Sequence, residues 1–155
     1  MRWVRSVVSV AAGCGVVGFL YVVLGRYVSS LLVSIYDLAA SGRLGERAVE
    51  TLVFVTGWAA VAVIFVFGGC VAALVAGRAG RWHGLAVGLT LNGAGLIVSV
   101  GMYPLGEALS YAAMEWRAWI LPLIAPFAGG LLGEWMSNRL ARRRPVVASD
   151  APTGG

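Results

Sequence analysis

The stretch Gly68–Gly88, GGCVAALVAGRAGRWHGLAVG, decides how the rest of the chain is read. An uncharged segment enters it, a short turn carries Arg78, Arg81 and His83, and a second uncharged segment leaves. Residues 51–77 contain no charge, enough to cross a bilayer with some tilt. On the far side, 84–106 is equally uncharged, with Pro104 marking its end. The turn therefore predicts a hairpin of two transmembrane helices.

Composition agrees. Hydrophobic residues make up 59% of the chain and charged residues 12%, with a mean hydropathy of +0.85, against about 25% charged in soluble domains. A water-soluble fold of 155 residues has nowhere to hide so much apolar surface, whereas lipid removes the problem. All twelve basic residues are arginine, a usage typical of a GC-rich bacterial genome. The sequence pI is near 9.9, but the arginines sit at span ends, so topology rather than nucleic-acid binding accounts for them. Cys14 and Cys70 lie inside apolar runs and read as small buried residues, not a disulfide. Ala11-Ala12-Gly13-Cys14 resembles a lipoprotein cleavage box, but only Val7–Val10 precede it as an apolar core and hydrophobicity continues beyond Cys14. It is read as part of a span, not a cleaved signal.

Working outward, Arg2 and Arg5 precede a first span at 6–25, and Arg26-Tyr27 closes it as an interfacial pair. Val28, Leu31, Leu32 and Ile35 keep helical spacing, so the same helix extends further. Asp37–Glu50 is expected as a loop broken at Ser41-Gly42. Leu105–Trp116 reads as a loop or short surface helix, with Leu109, Ala112, Ala113 and Trp116 on one side. A fourth span follows at 117–138, where Pro122 and Pro126 predict a kink. Residues 145–155 read as a disordered cytoplasmic tail. The expected fold is an all-α integral membrane protein, one domain over 1–144, with four spans at 6–25, 51–77, 84–106 and 117–138. Eight arginines (Arg2, Arg5, Arg78, Arg81, Arg139, Arg142, Arg143, Arg144) fall on the side of the termini and four on the other, the latter beside Asp37, Glu46, Glu50, Glu107 and Glu115. The positive-inside rule then places both termini in the cytoplasm of a bacterial inner membrane.

Small residues must carry the packing, because lipid gives helices no hydrophobic reason to associate. The third span offers Gly84, Gly88, Asn92, Gly95, Ser99, Tyr103 and Gly106 as one seam. The second offers Gly69, Ala73 and Gly77 flanked by Ala72 and Ala76, the fourth Ala125, Gly129, Gly133 and Ser137, and the first Ala11, Gly18 and Gly25 with Gly15 adjacent. A weak repeat relates Gly68-Gly69, Arg78 and Arg81 to Gly129-Gly130, Arg139 and Arg142 at an offset of 61, as a duplicated two-helix unit would.

Candidates for chemistry are few. Glu134 is the one carboxylate placed inside a span, and intramembrane ionisable groups are functional candidates by default. It reads either as a proton or cation site at the inner mouth or, more economically, as the partner of Arg78, Arg81, His83 or Arg139 at similar depth. His83 is the sole histidine, too few for a bis-His haem or a typical zinc site, and reads as a helix-start residue near headgroups. Asn92 and Ser99 are interhelical glue or, more sharply, a polar lining. The turn at 76–81 lacks a nucleotide-binding pattern. No cofactor, metal or catalytic constellation is expected. Arg78, Arg81, Arg139, Arg142, Arg143 and Arg144 suit anionic lipid headgroups.

Gly68-Gly69, Ala76-Gly77-Arg78, His83-Gly84 and Val87-Gly88-Leu89 together resemble the pattern of small Gly-rich four-span bacterial membrane proteins of unassigned function. That resemblance, confined to the second and third spans, implies the architecture and supplies no activity. The expected function is a non-enzymatic accessory or scaffold subunit that packs against itself or a larger membrane complex. The alternative is a small homo-oligomeric transporter or channel built on Glu134, Asn92, Ser99 and the Pro-containing fourth span.

Overall fold

The computed structural model describes residues 2–77, 79–104, 106–107, 110 and 116–143. Four helices follow in order: α1 (Arg2–Ala40), α2 (Glu46–Ala76), α3 (Gly80–Met102) and α4 (Trp116–Arg143). All four are long and apolar enough to cross a membrane. The expected tail, Arg78, and the face formed by Leu109, Ala112 and Ala113 lie outside the described residues.

The helix ends follow local chemistry. At the end of α1, Gly42 sits at φ +73°, with Arg43 N–H donating to Leu38 O and Gly42 N–H to Ala39 O. This is the paired closure of a Schellman motif, which needs a left-handed residue best supplied by glycine. The first loop is consequently shorter than expected: Asp37 still belongs to α1, and Glu46–Glu50 already belong to α2. Gly77 ends α2 at φ +71°, its N–H donating to Ala73 O. Two residues later Ala79 precedes α3 at φ +51°, a left-handed conformation that costs an L-residue roughly 1–2 kcal/mol. Tyr103, extended ahead of Pro104, closes α3. Pro122 and Pro126 are both accommodated inside a continuous α4.

The α2–α3 hairpin is central. α2 touches the other three helices, α3 does likewise, and among the described residues α1 and α4 flank the hairpin without contacting each other. Glycine carries the crossings. A Cβ on Gly69 or on Gly84 would land on the carbonyl of Pro126, and one on Gly129 on the carbonyl of Val66. Val17 of α1 nests over Gly68, and Val17, Ile64, Ala72 and Val87 form the buried cluster.

Two expected seams are corrected. On α1, Gly15, Gly18 and Gly25 have open space where a Cβ would project, and Ala11 is exposed. The contact face instead runs through Ser9, Gly13 and Val17, because the cleft over Gly68 takes a branched side chain and not a second flat surface. On α3, Gly84 and Gly88 press on α4, but Gly95, and Gly106 beyond the helix end, meet nothing within 4 Å. The small-residue contacts concentrate at the end of the bundle bearing the α2–α3 turn.

Candidate functional site

The polar groups of that end are arranged by the unpaired main-chain groups of the turn. A helix leaves carbonyls unsatisfied at its C-terminus and N–H groups at its N-terminus, with matching partial charges. At the end of α2, Arg5 of α1 donates from Nε to Val75 O at 3.0 Å. Its guanidinium also approaches the space beside Gly77, where a Cβ would come within 2.6 Å of Nη2. At the start of α3, Glu134 of α4 accepts from the Arg81 main-chain N–H at 3.5 Å through Oε2. A cation from one flanking helix thus sits on the negative pole of α2, and an anion from the other sits on the positive pole of α3. The tight, left-handed turn is held from both sides.

Among the described residues Glu134 is held by a main-chain N–H and by no arginine head; Arg78, also expected as a partner, lies outside them. Glu134 meets Arg81 through the backbone, while the Arg81 guanidinium lies 5.9 Å from the Trp82 ring centre and that of Arg139 lies 4.1 Å from the Trp135 ring centre. Gly80, whose missing Cβ leaves room for the Glu134 Cβ, lets the α3 N-terminus come within reach of the carboxylate. His83 adds a tie to α1. Nδ1 lies 3.0 Å from Ala79 O, and since a carbonyl only accepts, Nδ1 holds the proton; Nε2 then faces the Ser6 hydroxyl at 3.3 Å. The helix-start placement of His83 is observed, with a partner on α1 that its sequence position does not reveal.

Asn92 and Ser99 do not join this group. Asn92 lies nine residues beyond His83, about 13 Å along the helix, and donates from Nδ2 to Trp119 O of α4 at 3.1 Å. Ser99 donates to Gly95 O of its own helix. Surface grooves among the described residues lie along α1 at Arg26 and at the α1–α2 tip, away from this group. The arginines of the α2–α3 end fall into two groups. Arg5 is engaged by the main chain, while Arg81, Arg139 and Arg142 are exposed. Arg78 and Arg144 lie outside the described residues, as does the side chain of Arg143. Among the described residues no group of three or more His, Cys, Asp or Glu could hold a metal ion.

Sequence reasoning missed Arg5 and Ser6. The available signal was a helix ending on glycine with no basic residue in its own last turn, which leaves carbonyls for a neighbouring helix to satisfy. The geometry defines a multi-pass helical membrane protein with a braced α2–α3 hairpin. Comparison with known proteins adds no match: no family model, curated protein or solved structure is significantly similar to the chain. The resemblance carried by residues 68–89 therefore gains no further support there, and function rests on the geometry.

Proposed function

We propose that the chain is a non-enzymatic accessory or scaffold subunit of a bacterial inner membrane, both termini cytoplasmic, packing against itself or a larger membrane complex. One observation carries this reading. Ala11, Gly15, Gly18 and Gly25 form a stripe along one side of α1, and the three glycines have nothing within 4 Å of where a Cβ would stand. Glycine weakens a helix by roughly 1 kcal/mol relative to alanine, and close approach of another helix is what offsets that cost in lipid. The polar residues that a transport path would use are engaged in local structure: Glu134 on a helix start, Asn92 on a carbonyl of α4, Ser99 on its own helix. Orientation is supported by the eight arginines of the terminal side against four opposite, and lipid headgroups are the partners of the exposed ones. A duplicated two-helix unit is supported by the offset of 61 that relates Gly68-Gly69, Arg78 and Arg81 to Gly129-Gly130, Arg139 and Arg142.

The test is purification in a mild detergent with mass identification of what accompanies the chain, compared with the Gly15→Ile/Gly18→Ile variant. The wild type is expected in an assembly that the variant loses while keeping its helix content. A wild-type chain recovered as a bare monomer from its native membrane overturns the reading.

A further inference from the structure

The outer face of α4 ends in a pair of cations with nothing opposite them. Ile120, Ile124, Leu131, Trp135, Arg139 and Arg142 follow one another at helical spacing, so they share one side of the helix. The other side, through Pro126, Gly129, Gly130 and Gly133, packs on α2 and α3. All six residues of the outer face are exposed. The stripe is apolar through Leu131 and cationic from Arg139, with an indole between them. That order is the order of a phospholipid read from acyl chain to headgroup.

Arg139 is not extended away from the helix. Its guanidinium lies 4.1 Å from the centre of the Trp135 ring, one turn back along α4. The ring face attracts the cation and holds the planar group by its flat side. Its N–H edge is left for a second partner, and that edge matches two oxygens of a phosphate. Among the described residues neither Arg139 nor Arg142 has a hydrogen-bonding or ion-pair partner, and the Trp135 indole N–H has no acceptor. Like charges at this spacing repel, so an anion between the two arginines relieves both. Glu134, the one carboxylate of α4, does not supply it, because it accepts from the Arg81 main-chain N–H of α3. Arg81 is a poorer candidate, its guanidinium standing 5.9 Å from the Trp82 ring centre, at the outer limit of such a contact. We propose that Trp135, Arg139 and Arg142 bind the phosphodiester of an anionic phospholipid, with an acyl chain along Leu131 and Ile124.

This site rests on the reading of the exposed arginines as headgroup partners and adds to it one helix face and a selectivity. It does not require the chain to assemble, so a bare monomer overturns the subunit reading and leaves the lipid site standing. The test offers the full chain, purified in a mild detergent, phosphatidylglycerol and phosphatidylcholine with matched acyl chains, and counts the bound lipids by native mass spectrometry. Phosphatidylglycerol is expected to be retained about fivefold over phosphatidylcholine, the order of one surface charge. Arg139→Gln/Arg142→Gln should bring the ratio close to one. Arg43→Gln/Arg47→Gln, the same change in net charge at the other end of the bundle, should leave it unaltered. Arg139→Lys, which keeps the charge but not the stacked planar edge, should fall between. Free glycerol phosphate in excess should not displace the lipid, because it lacks the acyl chain. Equal retention of the two lipids by the wild type overturns the proposal, as does an equal loss of preference in the two double variants. So does displacement by glycerol phosphate, or an Arg139→Lys protein as selective as the wild type.

Discussion

Pro126 ties three helices together through one carbonyl. Its oxygen occupies the space that a Cβ on Gly69 of α2 or on Gly84 of α3 would need. One turn earlier, the Pro122 carbonyl has no N–H to accept within α4, because residue 126 is proline, and it faces Gly88 instead. Contacts between a glycine Cα–H and a carbonyl are weak singly, about 0.5–1 kcal/mol, but they require that no side chain intervene. Gly69→Ala is expected to destabilise the bundle by about 1–3 kcal/mol, the usual cost of overpacking. Gly95→Ala, in open space on α3, should be neutral or stabilise by up to about 1 kcal/mol through helix propensity. Thermal unfolding in detergent, followed by tryptophan fluorescence, checks both; equal shifts would contradict the observed crossing. The glycine spacing on α2, α3 and α4 was legible in the sequence. Which glycines touch was not, because Gly18 and Gly13 differ only in the direction they face, and that depends on the neighbouring helix.

At the scale of the elements, the α2–α3 turn joins two helix ends of opposite polarity, and the flanking helices supply the opposite charges. Arg5→Ala and Glu134→Ala should each lower stability by about 1 kcal/mol, the order of a lost helix cap or dipole partner. Glu134→Gln, which keeps an acceptor oxygen, should cost less than Glu134→Ala. Denaturation midpoints measure this, and a protein indifferent to both alanine changes has no such brace. The continuity of α1 beyond Arg26 was readable from the spacing of Val28, Leu31, Leu32 and Ile35, and the stop at Ser41-Gly42 from the glycine. The extent of the first loop was not, since Asp37, Glu46 and Glu50 carry charge yet stay helical. Charge marks the end of the hydrocarbon rather than the end of a helix.

For the whole molecule, α1 and α4 stand on opposite flanks of the central hairpin, and close packing is greatest at the turn end. The topology proposed above predicts that a cysteine introduced at Ser41, in a variant with Cys14 and Cys70 replaced by alanine, reacts with a membrane-impermeant maleimide applied from outside the inner membrane. One introduced at Arg142 should react only after the membrane is opened. Labelling in the reverse order would invert the orientation.

Composition and the spacing of charge by themselves determined that this chain is a set of four apolar helices, because the free energy of placing backbone and side chains in lipid depends on residue type and run length alone. Only the tertiary structure decided which small residues meet, that Glu134 caps α3 through its backbone, and that Arg5 serves the end of α2. Those choices depend on the rotation and crossing of each helix against its neighbours. In a chain where Gly and Ala occupy more than one face of α1, several such rotations satisfy the same sequence pattern.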